Sequence, residues 1–126
     1  MADFYLKIKT NQMILKNLNN QRELTIEGNF SSSRLLVGDF YNAELQLRSL
    51  LNQHGFMKGI NKFFGRKHRV LIHPLDQSEG GLCSVEERVL LEMTHASFRL
   101  RAKKVVIHQS EHLLSDIEAK NMLNIG

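Results

Sequence analysis

The side chains best suited to chemistry are three histidines. His73 and His108 each follow a short apolar run, Val70-Leu71-Ile72 and Val105-Val106-Ile107, and His112 lies one helical turn beyond His108. If the two runs are neighbouring parallel strands, these imidazoles meet at the end of the sheet where α/β folds place their ligands. His73, His108 and His112 would then offer a three-histidine metal site, and a metal-dependent enzyme is one reading of the chain. The competing reading is that histidines at strand ends cap backbone groups or face solvent, and it is preferred: no metal and no cofactor is expected. Cys83 and Ser110 are possible nucleophiles, but neither has a base and an orienting acid at an interpretable spacing. No catalytic residue is assigned, and the chain is not expected to be an enzyme.

A second group of residues is suited to binding. Residues 58–69 carry five Lys/Arg and no Asp/Glu, whereas residues 1–57 carry six against five and residues 70–126 carry six against eight. The net charge of +4 therefore sits in one short patch. Its cations, Lys58, Lys62, Arg66, Lys67 and Arg69, are interleaved with Phe56, Met57, Ile60, Phe63, Phe64 and His68. Cations with aromatic rings suit nucleic acid, where rings stack on bases, or an anionic membrane surface, where rings insert and lysines meet headgroups. They also suit a protein contact, and a plain alternative is that Phe63 and Phe64 cover the sheet edge. We assign Phe56, Lys58, Lys62, Phe63, Phe64, Arg66 and Lys67 as the partner-binding segment, with a homodimer or a heteromeric contact expected there.

The length of 126 residues fits one domain, and the mixture of apolar and charged residues argues against disorder and collagen-like repeats. The single Cys83 can form neither an internal disulfide nor a thiolate pair. No apolar run approaches the roughly 18 residues that a membrane span needs, and no basic-then-apolar leader is visible. A cytoplasmic location is expected.

The elements that must position these residues follow from periodicity. Phe4, Leu6 and Ile8 alternate with Tyr5, Lys7 and Lys9; Met13 to Leu15 and Leu24 to Ile26 continue the pattern, with Asn17 to Asn20 between them, so three antiparallel strands are expected. Gly28 and Ser31 to Ser33 mark the loop that leaves this meander. Phe40, Ala43, Leu47, Leu50 and Leu51 recur at helical spacing, capped by Asp39 and ended by Gly55. Val70 to Ile72 and Val105 to Ile107 read as strands buried on both faces and parallel to each other. Between them Ser84-Val85-Glu86-Glu87 is a capping-box sequence, followed by a stripe of Val85, Val89, Leu90, Met93 and Phe98. Ser110 is expected to cap a last helix carrying Leu113, Leu114, Ile117, Met122 and Leu123. The order is βββαβαβα.

That order is the one seen in the ribonuclease-H-like half-domains of the actin, sugar-kinase and heat-shock-ATPase superfamily. Val37-Gly38-Asp39-Phe40-Tyr41-Asn42-Ala43-Glu44-Leu45-Gln46-Leu47 resembles the bacterial actin MreB family, where I-A-D-F-F-V-T-E-K-M-L opens the corresponding helix. Arg69-Val70-Leu71-Ile72 followed by Ser84-Val85-Glu86-Glu87-Arg88 resembles R-V-L-V, a loop, then T-x-V-E-R-R. Arg101-Ala102-Lys103-Lys104-Val105-Val106-Ile107 is similar to G-A-R-x-V. The resemblance spans nearly the whole chain but only the first subdomain of MreB. It implies an α/β fold: a single ribonuclease-H-like or actin-like subdomain over 1–126, with a mixed five-stranded sheet.

The chain departs from that family at the nucleotide site. The family's first hairpin carries D-x-G-T, and the matching stretch here is Lys7-Ile8-Lys9-Thr10, in which only Thr10 survives. A lysine cannot hold Mg²⁺, and a side chain at position 9 would crowd a phosphate. After the fifth strand the family has E-E-P, against His108-Gln109-Ser110 here. With 126 residues, the second lobe of that family is not expected either. What the resemblance then implies is a non-enzymatic, actin-like interaction module without ATP binding, linked to an MreB-type filament or to cell-shape, division or pilus machinery. The alternative is a small basic-aromatic protein that contacts a membrane surface or nucleic acid.

Overall fold

The computed structural model describes residues 2–32, 35–55, 68–76, 82–98 and 102–125. Its elements are β1 (Asp3–Lys9), β2 (Gln12–Asn17), β3 (Arg22–Glu27), α1 (Phe40–Gln53), β4 (His68–Pro74), α2 (Ser84–Ser97), β5 (Ala102–Ile107) and α3 (Asp116–Asn124). The fold is α/β, with one mixed sheet of five strands in the order β3-β2-β1-β4-β5. The meander β1-β2-β3 is antiparallel, while β4 is parallel to both β1 and β5. These are the strand directions expected from alternation in the first part of the chain and continuous apolar runs in the second.

Register sorts side chains onto two faces. Phe4, Leu6 and Ile8 stand beside Asn17, Leu15 and Met13 on β2 and beside Val70, Ile72 and Pro74 on β4. These apolar residues pack with Ala43, Leu47, Leu50 and Leu51 of α1 and with Leu90 and Met93 of α2. One residue out of phase, Tyr5 and Leu71 face the opposite way, onto Ala119 and Leu123 of α3. Helices therefore cover both faces of the sheet, which explains why β1 and β4 are buried along almost their whole length.

Asp39 caps α1 by accepting from the Asn42 amide at 3.1 Å. The helix stops at His54, after which Gly55 takes φ +85°, a left-handed conformation that suits glycine. Two expected caps move. Helix α2 begins at Ser84 with Cys83 as its extended N-cap, so the backward half of the capping box comes from Glu86, which accepts from the Cys83 amide at 3.5 Å. Glu87 instead accepts from the Gln109 side chain at 3.2 Å. Val85, one residue into the helix, is exposed rather than part of the buried stripe.

The second correction is larger. Ser110 does not cap α3; Ser115 does, accepting from the Glu118 amide at 3.2 Å while Glu118 accepts from the Ser115 amide at 3.0 Å. Residues 108–115 are not helical, and two of their backbone groups, the Ser110 carbonyl and the Leu114 amide, bond to side chains from the sheet. Leu113 and Ile117 are exposed. Strand β5 is also less buried than expected: it lies at the edge of the sheet, and Val105, Val106 and Ile107 are half-buried.

Candidate functional site

The hairpin joining β1 to β2 contains Lys7-Ile8-Lys9-Thr10, the stretch compared above with the D-x-G-T motif. It turns through Thr10 and Asn11, and Asn11 adopts φ +55°, a conformation asparagine tolerates better than most residues. Asn11 then stitches the tip to the loop after β3. Its side-chain oxygen accepts from the Phe30 amide at 3.1 Å and the Ser31 amide at 2.8 Å. Its amide donates to the Ser31 hydroxyl at 3.0 Å, and its carbonyl accepts from the Gly28 amide at 3.0 Å. The Thr10 amide donates to the Asp76 carboxylate at 2.9 Å. The amides that an anion would need at this tip are thus bonded to groups of the chain itself. The adjoining open hollow is lined by Thr10, Asn11, Glu27, Gly28 and Asn29, and the Glu27 carboxylate makes it unsuited to phosphate.

Lys7 and Lys9 stand on the α3-side face of β1. Lys7 forms an ion pair with Glu23 of β3 at 3.2 Å, and its ammonium sits 5.5 Å from the centre of the Tyr5 ring. Lys9 is exposed and aligned with Gln12 on β2.

The histidines do come together in part. His73 and His108 lie with ring centres 5.0 Å apart, as neighbouring parallel strands require. His73 is fully buried, and both of its ring nitrogens are occupied. Nε2 is 2.7 Å from the Ser110 carbonyl oxygen, which can only accept, so Nε2 carries the proton. Nδ1 is 2.6 Å from the Tyr5 hydroxyl and accepts from it. The Tyr5 oxygen accepts in turn from the Leu114 amide at 3.2 Å. No lone pair of His73 is left for a metal ion. His112 is exposed, with its amide on the Ser110 hydroxyl at 3.1 Å. Among the described residues no group of three His, Cys, Asp or Glu side chains could hold a metal.

Burial pushes the His73 imidazole below the ordinary histidine range, with His108 and Lys7 adding to the effect and the Ser110 carbonyl opposing it. Burial pushes the Tyr5 hydroxyl upward. Both groups are therefore neutral at pH 7, as the donor-acceptor chain requires. Ser110 contributes its carbonyl and not a nucleophile. Cys83 is exposed at the start of α2.

The proposed partner-binding residues Phe56, Lys58, Lys62, Phe63, Phe64, Arg66 and Lys67 lie outside the described residues. His54 and His68 are both buried and meet the Phe4 ring edge-on, each with centres 5.8 Å from it. His54 Nε2 lies 2.8 Å from the Leu15 carbonyl, and the Ala2 amide donates to His68 Nδ1 at 3.1 Å. His54 and His68, which bracket the basic-aromatic segment in the chain, thus both pack on one side chain at the start of β1.

Tyr5, Asn11 and Asp76 carry much of this geometry, and sequence reasoning assigned none of them a role. The only signal was Tyr5 sharing a face with two lysines. Its partners are 68 and 109 residues away in the chain.

No family model matches the chain. It is 32% identical over 124 residues to the uncharacterized protein YjaA of Escherichia coli strain K12, and the match covers 98% of each chain. The α/β protein described above belongs to the YjaA family. No helix among the described residues is long and apolar enough to cross a membrane.

Proposed function

We propose that the chain is a non-enzymatic interaction module built on a single actin-like, ribonuclease-H-like half-domain. It does not bind ATP, and it works in the cytoplasm by docking onto a protein, an MreB-type filament or other cell-shape, division or pilus machinery. The observation that carries this reading is the hairpin tip: Lys7 and Lys9 replace the aspartate and glycine of the family's motif, and Asp76 accepts from the Thr10 amide. The element order and the meander followed by parallel strands support the fold assignment. Docking is assigned to Phe56, Lys58, Lys62, Phe63, Phe64, Arg66 and Lys67, because that stretch combines five phenylalanine, methionine and isoleucine side chains with four cations and no acid.

Two measurements test the proposal. Calorimetry with Mg-ATP is expected to give no binding heat; micromolar affinity would overturn the loss of the nucleotide site. Affinity capture from native cytoplasm is expected to yield a protein that stays bound as salt is raised and is lost on Phe63→Ser/Phe64→Ser. Capture of nucleic acid or vesicles that collapses with salt would transfer the same segment to the alternative reading.

A further inference from the structure

The segment that carries α3 is attached to the sheet differently from the rest of the fold. Helix α3 buries only Ala119 and Leu123, whereas α1 buries Ala43, Leu47, Leu50 and Leu51. Met122 packs half-buried against the same cluster as Ala119 and Leu123, and the other attachments are polar. Lys16 pairs with Asp116 at 2.7 Å, and Arg69 and Lys104 donate to the Leu123 carbonyl at 3.2 and 2.7 Å. The stretch leading into it is held by the chain running from the Leu114 amide through Tyr5 and His73 to the Ser110 carbonyl.

We propose that residues 110–125 form an acid-released latch, in which protonation of His73 frees α3 from the sheet while the opposite face stays folded. The geometry allows only the neutral imidazole. A proton on Nδ1 would turn that atom into a donor, so the Tyr5 oxygen would have to accept from both Nδ1 and the Leu114 amide. The phenolic proton would then lose its acceptor inside a buried site.

The surroundings do not compensate a charge there. From β1, Lys7 is the nearest charged side chain, and it is already paired with Glu23 of β3. From the exit of β5 comes His108, a second imidazole. From α3, Asp116 is paired with Lys16, and Glu118 is engaged with Ser115 on the exposed side of the helix. Glu111 and His112 of the connecting stretch are exposed. None of these carboxylates bonds to His73. Parting the connecting stretch from the sheet admits water to the imidazolium, and α3, with two buried residues, follows.

The test is amide hydrogen exchange on the full chain between pH 7.5 and 5, corrected for the intrinsic exchange rate, read beside the ring signals of His73. The opening constant at Ala119 and Leu123 is expected to rise below the ordinary histidine value of about 6.5, by at most tenfold per pH unit and so by at most about 30-fold at pH 5. Amides of Leu90 and Met93 in α2 should change several-fold less. Loss of α2 and α3 protection in parallel, or unchanged α3 protection at pH 5, would overturn the proposal. His73→Gln keeps a donor for the Ser110 carbonyl without titrating and is expected to flatten the α3 response; a folded variant that retains it would also overturn the latch. The wild-type comparison decides the matter if the variant does not fold.

Discussion

The two faces of the sheet are held by different forces. Toward α1 and α2, Phe4, Leu6, Ile8, Leu15, Val70 and Ile72 are fully buried in a mainly apolar layer, in which the bond from His54 to the Leu15 carbonyl is a polar exception. Toward α3, each rung between β1 and β4 carries at least one polar or aromatic group: Asp3 beside Arg69, Tyr5 beside Leu71, Lys7 beside His73. The strands are the same and only the parity of the residue differs. A strict alternation in one strand can thus build a close-packed core on one side and a hydrogen-bonded, ionisable layer on the other.

The largest expected effect contrasts the two faces directly. Leu47→Ala removes a fully buried side chain from the α1 face and should cost about 3 kcal/mol by urea denaturation. Leu123→Ala removes an equally buried leucine from a helix with few other apolar anchors, which can shift to fill the space. It is expected to cost about 2 kcal/mol. Equal costs would mean that α3 is packed as rigidly as α1 and would break the distinction.

Arg69 gives the next effect, because it joins the layers of the polar face. It makes a two-pronged contact with Asp3, both bonds at 2.8 Å, and donates to the Asn124 side chain at 2.7 Å at the end of α3. Arg69→Ala should cost about 2 kcal/mol at pH 7, since it leaves Asp3 buried without its partner. The hydrogen bond from Arg69 holds the Asp3 carboxyl below the usual carboxylate range. The stability it contributes is present above about pH 3.9 and is lost as pH falls further. His54 and His73, both pushed downward by burial, act in a different window: their contribution is full above about pH 6.5 and declines below it. Denaturation midpoints followed against pH should therefore show two steps, and Arg69→Ala should shrink only the more acidic one, to which the Ser115-bonded Glu118 carboxyl also contributes.

Much of the fold was legible because its pattern is local. The alternation of Phe4, Leu6 and Ile8, the Asp39 cap and the Val70 to Ile72 run each carry their meaning within a few residues. What was not legible depends on pairing across the chain. Ser110 read as a cap because it precedes a leucine-rich stretch, but His73, 37 residues earlier, takes its carbonyl and Tyr5 takes the Leu114 amide. Those two bonds hold the backbone out of a helix that local propensity would allow. The same holds at the candidate site: that Lys7-Ile8-Lys9-Thr10 carries no D-x-G-T motif was readable, whereas occupation of the Thr10 amide by Asp76 needed the two strand ends to be brought together.

The smallest expected effect separates the two serines of the α3 segment. Ser115 is the N-cap in the structure, exchanging bonds with Glu118, so Ser115→Ala should cost about 1 kcal/mol. The Ser110 hydroxyl accepts from the His112 amide on an exposed turn, while the group that matters to the sheet is the backbone carbonyl, which alanine retains. Ser110→Ala is therefore expected to change stability by less than about 0.5 kcal/mol and to leave the pH response of α3 intact. If Ser110→Ala instead cost as much as Ser115→Ala, the helix would begin at the earlier serine. Residues 110–114 would then be part of α3, and the bonds from His73 and Tyr5 that distinguish this face would have to give way to helical ones.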